Sequence, residues 1–413
     1  MERSVGRLFT AAGFGLALLV LTGCVSQQVI RANATPAIQA QEELPDAQLL
    51  DVGIAEFDPG IPENEAEWED DFIFPEVRRA ESRFAAYHLK DTLQETGNWG
   101  AVRVVPEATN SVDLLVDGEI LYSNGMTLEV AVKATDATGR VWLEKDYKGT
   151  ASRYAYDDLR QPEKDPFQQI YNDIANDLLA ARRDIAGEEL AQIRQVSELK
   201  FAQQLSPESF DGYLGELRNG QTVIERLPAD GDPMMARMQS VRQREYNFID
   251  TLDDYYTRFY NDMSTEYRDW RRYSYEEAYE REQIKKSARN RMIAGVATIL
   301  AGAVLAGETD SYIGDTAGYY GILGGAYIVK SGYDRLKEAR IHEDAMRELA
   351  ESFESEVAPM VIDIEGRTIE LQGSAQAQFQ EWRRLLAEIY AAETGLTTEI
   401  EDPDQDLDNI PEE

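Results

Sequence analysis

One cysteine, Cys24, and two histidines, His88 and His342, stand in 413 residues. A lone thiol excludes an internal disulfide and any zinc site built on paired cysteines. The histidines lie far apart, each in a stretch of helical periodicity, where such a residue packs or faces water more often than it catalyses. G-x-S-x-G, H-E-x-x-H and the Gly-Lys-Ser/Thr phosphate loop are absent. Basic residues are scarce too, since 41 Lys and Arg face 77 Asp and Glu for a net charge of −36. That balance argues against nucleic acid, whose affinity comes from cations that neutralise phosphates. It argues equally against electrostatic adsorption on anionic headgroups. Carboxylates are plentiful, yet no spacing singles out an acid pair of the kind that cleaves glycosidic bonds. The expectation is a non-enzymatic chain with no metal or organic cofactor.

What is present begins at the N-terminus. Glu2, Arg3 and Arg7 accompany an apolar run from Leu8 to Leu21, and Leu21-Thr22-Gly23-Cys24 closes it. The run is too short to span a bilayer and reads as the h-region of an export signal. The tetrapeptide resembles the lipobox of bacterial lipoproteins, a resemblance that covers residues 1–24. It implies a signal peptide over 1–23, cleavage before Cys24, a lipid on the Cys24 thiol and acylation of the new amine. Acyl chains such as palmitate would then be the chain's only added group, and three of them exceed the two signals that stable anchoring needs. Val25 follows Cys24, where an Asp would resemble an inner-membrane retention signal. The resemblance therefore implies the outer membrane, with the protein facing the periplasm. Residues 24–47, rich in Gln, Ala, Asn and Pro, read as a flexible tether with a root-mean-square reach of about 25 Å.

Residues 48–154 read as an α+β domain. Leu49 to Phe57 is a first strand, and Pro75 opens a helix carrying Val77, Phe84, Leu89 and Leu93 that Gly97 ends. Val102 to Val105 follows as a strand. Val112 to Tyr122 then runs into Asn124-Gly125, a two-residue hairpin signal with positive φ. Met126 to Lys133 and Val141 to Tyr147 complete the order β-α-β-β-β-β, one helix on a mostly antiparallel sheet. Topology and the strand Val112-Asp113-Leu114-Leu115-Val116-Asp117-Gly118-Glu119-Ile120 resemble the small periplasmic domains of curli-secretion-type lipoproteins and of the Tol-system β-propeller protein. That resemblance implies partner docking or ring formation.

Residues 163–290 are almost wholly helical in pattern. Ile170, Ile174, Leu178, Ala181 and Ile185 form one stripe, and Asp232-Pro233 starts a run without Pro or Gly until Gly295. A helix over 233–290 would be about 87 Å long, a coiled coil or bundle arm. It is rich in tyrosine, from Tyr246 to Tyr279. Those rings offer a stacking surface for peptidoglycan or other glycans, or else Phe248, Leu252, Phe259, Met263 and Trp270 fill a helix seam with the hydroxyls at its margin.

Residues 292–329 form a glycine-rich apolar pair, with Met292–Gly307 and Ile313–Val329 around the polar turn Thr309-Asp310-Ser311. The pair resembles the glycine zipper of certain outer-membrane lipoproteins. Gly314 and Gly318, and Gly321 and Gly325, place small residues every fourth position, where helix backbones approach closely. Membrane insertion, an oligomer interface and a buried hairpin all fit this segment. Residues 333–393 read as a return helix, a β-hairpin (360–371) and a final helix capped by Ser374. After Thr394 the tail is acidic to residue 413. Asp402, Asp404, Asp406, Asp408 and Glu413 match EF-hand spacing, but Leu407 occupies the position that needs glycine, so a solvated tail is expected.

These features point to a lipid-anchored envelope scaffold or assembly accessory that oligomerises through its helices and meets an envelope protein partner. A peptidoglycan-binding module and a cell-wall hydrolase are the alternatives.

Overall fold

The described residues of the computed structural model are 35–305, 360–364, 367–371 and 374–394, apart from gaps at 43, 65–67, 69–72, 107, 108, 110, 153 and 157–164. The first half holds β1 (Val52–Ala55), α1 (Pro75–Thr96), β2 (Val102–Val105), β3 (Leu114–Ser123), β4 (Thr127–Asp136) and β5 (Val141–Thr150). Then come α2 (Gln168–Arg183), α3 (Gly187–Leu205), the short α4 (Pro207–Phe210), β6 (Leu214–Glu216) and β7 (Thr222–Ile224). Helix α5 (Pro233–Leu305), β8 (Met360–Ile364), β9 (Arg367–Leu371) and α6 (Ala375–Thr394) complete them. The fold is α+β.

The main sheet has five strands in the order β2-β1-β3-β4-β5. It is mixed rather than mostly antiparallel, because β1 runs parallel to both β2 and β3 while β3, β4 and β5 form an antiparallel meander. The residue pattern explains the split. Val52-Gly53-Ile54-Ala55 is apolar throughout and buried at every position, as a parallel strand covered on both faces must be. Strands β3 and β4 alternate buried with part-exposed side chains, leaving one face of the meander to water. On that face Lys133 pairs with Glu144 and Lys148 with Glu129 across neighbouring strands.

Helix α1 starts where Pro75 supplies the first helical position and stops at Gly97, whose φ of 66° is the left-handed cap. Its Ala85, Ala86, Leu89 and Leu93 pack on the sheet with Ile170, Ile174 and Leu178 of α2. Helix α5 shields the β2 edge, where the Val104 N–H donates to Asp253 Oδ1 at 3.3 Å and Arg103 pairs with Asp250 at 2.5 Å. The Val102 N–H finds Gln94 Oε1 at 3.1 Å. Side chains thus take up two donors of an edge strand that would otherwise template a further strand.

The β3–β4 turn differs from the expected Asn-Gly loop. Asn124 and Thr127 close it through paired backbone bonds of 2.9 and 3.2 Å, so Gly125 and Met126 are the loop residues. Asn124 is the first turn residue, its Oδ1 accepting the N–H groups of Met126 and Thr127 at 2.9 and 2.8 Å. Positive φ is not what requires the glycine. A Cβ on Gly125 would lie 1.7 Å from the Arg271 carbonyl oxygen of α5.

Helix α5 begins where Asp232 Oδ1 accepts the Met234 N–H at 2.8 Å. It spans 73 residues, roughly 110 Å, and includes 292–305 of the glycine-rich segment in the same helix. Phe248, Leu252, Phe259, Met263 and Trp270 are all buried. Phe248 stacks on Trp382 of α6 with ring centroids 5.1 Å apart, and Ser374 caps α6 by accepting the Ala377 N–H at 3.2 Å. One apolar core joins the sheet, α1, α2, α3, α5 and α6. Helices α2 and α3 and the part of α5 up to Tyr275 therefore pack on the sheet domain.

The expected flexible tether over 24–47 is docked from Thr35 onward. Thr35 N–H meets Gln169 Oε1 at 2.6 Å, Asn172 Nδ2 meets Thr35 O at 3.0 Å, and Asn176 bonds both Pro36 O and the Ile38 N–H. Asn98 Nδ2 donates to Ile38 O at 2.7 Å, and the Ala40 N–H donates to the Thr96 backbone carbonyl at 2.8 Å. Amide side chains at helical spacing on α2 satisfy the backbone of an extended segment, a role invisible in a Gln- and Asn-rich composition. Cys24, the turn at 309–311, Gly314, Gly318, Gly321, Gly325, the return helix and the tail beyond Thr394 lie outside the described residues. Among the described residues no helix is long and apolar enough to cross a membrane.

Candidate functional site

A cleft of ≈ 530 Å³ opens where β1 and β2 end, lined by Glu56, Phe57, Arg83, Pro106, Ser374, Ala375 and Gln376. Its position follows from the topology: chains leaving the carboxyl ends of neighbouring parallel strands diverge and leave a crevice. Glu56 and Phe57 follow β1, Pro106 follows β2, Arg83 comes from α1, and Ser374 to Gln376 form the start of α6.

Charge in the cleft is paired. Arg83 Nε donates to Glu56 Oε1 at 2.7 Å, and the Tyr256 hydroxyl of α5 donates to Glu56 Oε2 at 3.4 Å. Burial, reinforced by Glu56, pushes the Tyr256 phenol well above its ordinary pKa, so it stays a donor. Ser374 Oγ is engaged in capping α6. Glu56 is the sole carboxylate among the described lining residues, and neither histidine nor cysteine joins it. The arrangement suits recognition of a polar group at a guanidinium–carboxylate pair. It lacks, among those residues, the second acid or the base-activated nucleophile that hydrolysis uses.

Three further ionisable clusters among the described residues are interior. His88 links three helices. Its Nε2 lies 2.7 Å from Gln168 Oε1 and its Nδ1 lies 2.8 Å from the Tyr260 hydroxyl. Gln168 Nε2 donates to Thr92 and Asn172, so Gln168 Oε1 accepts, His88 carries its proton on Nε2, and Tyr260 donates to Nδ1. With both nitrogens committed in a buried position, His88 is a tie between α1, α2 and α5. Glu81 accepts from Ser123 Oγ at 2.5 Å and from the Tyr267 hydroxyl beside the buried Arg78. Arg242 donates to Ser111 O, Asp113 and Ser197, while Tyr246 donates to Ser111 O at 2.6 Å. Burial raises the carboxyl pKa of Asp113 even beside Arg242. His342 lies outside the described residues, and among the described residues no cluster of His, Cys, Asp or Glu is arranged to hold a metal.

The tyrosines of α5 divide clearly. Tyr246, Tyr256 and Tyr267 are buried, and Tyr260 stacks on Phe84 at 4.5 Å. Tyr279 is the exposed member, stacked on Tyr275 at 6.0 Å. Tyr260 and Tyr267 pack on Phe84 of α1, and Tyr246 lies against Arg103 and Arg242, so these ring faces are closed to a sugar. The cleft residues Glu56, Arg83, Ser374 and Gln376 were not legible as a set in the sequence, where they are scattered over more than 300 positions.

Comparison with known protein families, with characterised proteins and with solved structures finds no match. The functional reading rests on the residues themselves.

Proposed function

We propose that this chain is a lipid-anchored envelope protein of the outer membrane, facing the periplasm and acting as a non-enzymatic scaffold or assembly accessory. The observation that carries the proposal is the N-terminal pattern: a basic start, a short apolar run and Leu21-Thr22-Gly23-Cys24 containing the chain's only cysteine. Export suits a fold held together without thiol chemistry. The described chain begins at Thr35, so residues 25–34 lie between Cys24 and the docked segment. The cleft between β1, β2 and α6 offers a recognition site for an envelope protein partner. Helix α5 enters the glycine-rich segment, whose Gly314, Gly318, Gly321 and Gly325 supply close-packing faces for self-association.

Metabolic labelling with an alkyne fatty acid tests the anchor. Wild-type protein takes the label and Cys24→Ala does not, leaving a longer precursor. Equal labelling of the two removes the lipoprotein reading. Crosslinking in native membranes tests self-association: replacing Gly321 and Gly325 with Leu shortens the oligomer ladder, and an unchanged ladder removes that role from the glycines.

A further inference from the structure

We propose that the corner between α2 and α3 binds a small organic anion, a carboxylate or phosphate monoester joined to a short apolar group. A cleft of ≈ 300 Å³ lies there, at the lower end of the range for small-ligand sites. Arg182, Arg183, Gln48 and Gly187 give it a polar side, and Leu179 and Leu190 belong to its apolar wall.

Three observations make this side electropositive in an acidic protein. Arg182 is buried, yet it meets no carboxylate among the described residues. Its Nη1 and Nη2 donate to the carbonyls of Asn98 and Gln48 at 2.9 and 3.3 Å, its plane lies over Trp99, and its Nε has no partner. Buried charges are ordinarily paired. Burial, with the neighbouring Arg183 adding to it, lowers the Arg182 pKa, the mark of a cation without a counter-charge. Arg183 is exposed on the same rim and likewise pairs with no described carboxylate.

The second observation is the start of α3. Ala186 sits at its N-cap and offers no side-chain acceptor, so the N–H groups of Gly187, Glu188 and Glu189 precede the first intrahelical bond, Leu190 N–H to Ala186 O at 3.0 Å. A helix of 19 residues presents partial positive charge at that end. Glu189 turns away to Arg140, with 2.9 Å between them. The third is Gln48, whose amide nitrogen would lie 2.6 Å from a Cβ on Gly187. A bare glycine therefore brings that amide against the helix end. Glu42, the one described carboxylate on the rim, is exposed and engages neither arginine. An anion seated here neutralises Arg182 and Arg183 and caps α3, while its apolar group meets Leu179 and Leu190. The proposal does not rest on the lipid anchor.

Isothermal titration of the full-length protein in detergent decides it, with N-acetyl-L-leucine, its neutral amide and inorganic phosphate as probes. The acid binds, phosphate competes with it, and the amide binds at least about tenfold more weakly, the loss expected for one charge-assisted bond. Arg182 braces two backbone carbonyls, so the variant of choice is Arg183→Gln, at an exposed position whose guanidinium pairs with no described carboxylate. It weakens the acid about tenfold with an unchanged melting transition. Equal binding of acid and amide, no heat from either anion, or an unaltered affinity in Arg183→Gln overturns the proposal.

Discussion

Asp165 and Arg271 form an ion pair at 2.6 Å with each side chain only 4 % exposed, joining the turn ahead of α2 to the middle of α5. Asp165 also accepts the Phe167 N–H at 2.8 Å, and Arg271 lies over the Tyr267 ring at 4.0 Å. Burial alone would raise the Asp165 pKa, but Arg271 outweighs it and holds the carboxyl below its ordinary value. A depressed carboxylate stabilises the fold above its unfolded-state pKa, and that contribution disappears as pH falls through the lower, folded-state value. Asp165→Asn removes this part of the acid sensitivity. At neutral pH it costs about 3–5 kcal/mol, because a buried guanidinium is left uncompensated. Combining it with Arg271→Met costs less than the sum of the two single changes. Urea unfolding of the three variants checks both statements, and strict additivity would contradict the pairing.

Gly125 is a second contact between the sheet and α5. Gly125→Ala forces a Cβ into the Arg271 carbonyl, so α5 or the hairpin must move, at a cost of about 3 kcal/mol or more. Gly139→Ala provides the contrast. Its φ of +84° strains an alanine, but the nearest atom, Gly220 O, is 3.5 Å away, so about 1–2 kcal/mol is expected. Chemical denaturation ranks the two. A milder effect at Gly125 than at Gly139 would mean that α5 yields easily at this point.

Much of this architecture was legible locally. Pro75 and Gly97 mark the ends of α1, Asp232-Pro233 starts α5, and the alternation in β3 and β4 fixes their buried face, because each signal depends on a few adjacent residues. Relations between distant segments were not. Asn124-Gly125 carries a hairpin signal, but the need for glycine comes from Arg271, 146 positions on. Gln169, Asn172 and Asn176 read as an ordinary polar helix face until Thr35–Ile38 lies along them. The parallel placement of β1 was half visible in its unbroken apolar run, yet a crossover back through α1 has no mark in that strand. Glu56 and Arg83 follow the same rule, since an ion pair 27 residues apart leaves no periodic trace.

Glu245 carries a pH dependence of the opposite sign. It is buried, and burial raises its carboxyl pKa more than Arg383, Arg242 and the hydroxyls of Ser111 and Thr109 lower it. A raised carboxylate pKa means that the folded protein holds the proton more tightly. Ionised Glu245 therefore destabilises the fold above its folded-state pKa, and the penalty fades as pH falls toward the ordinary carboxylate range. Glu245→Gln is more stable than wild type at neutral pH and approaches it in acid. Melting temperatures of the two proteins from pH 4 to pH 8, a window set by the ordinary carboxylate pKa of about 4.3 and neutrality, show whether the curves converge. Parallel curves would show that Glu245 titrates normally.

The docked lead makes a prediction that links stability to the proposed anchor. Asn172→Ala with Asn176→Ala removes the bonds to Thr35 O, Pro36 O and the Ile38 N–H, of 3.0, 3.1 and 2.9 Å. At about 0.5–1.5 kcal/mol for each bond, the loss is enough to free the segment without unfolding the body. Hydrogen exchange at Ile38 accelerates in the double variant, while amides in the α5 seam around Leu252 and Met263 keep their protection. Unchanged exchange at Ile38 would show that Gln169 and Asn98 hold the segment unaided. The consequence for an anchored protein is geometric. From Cys24 to Thr35, the ten residues 25–34 reach about 35 Å at full extension. Releasing 35–39 lengthens that reach to about 50 Å. The amide ladder on α2 would thereby set how far the folded body stands from the lipid surface, and crosslinks from the body to the membrane should decline in the double variant only when Cys24 is lipidated.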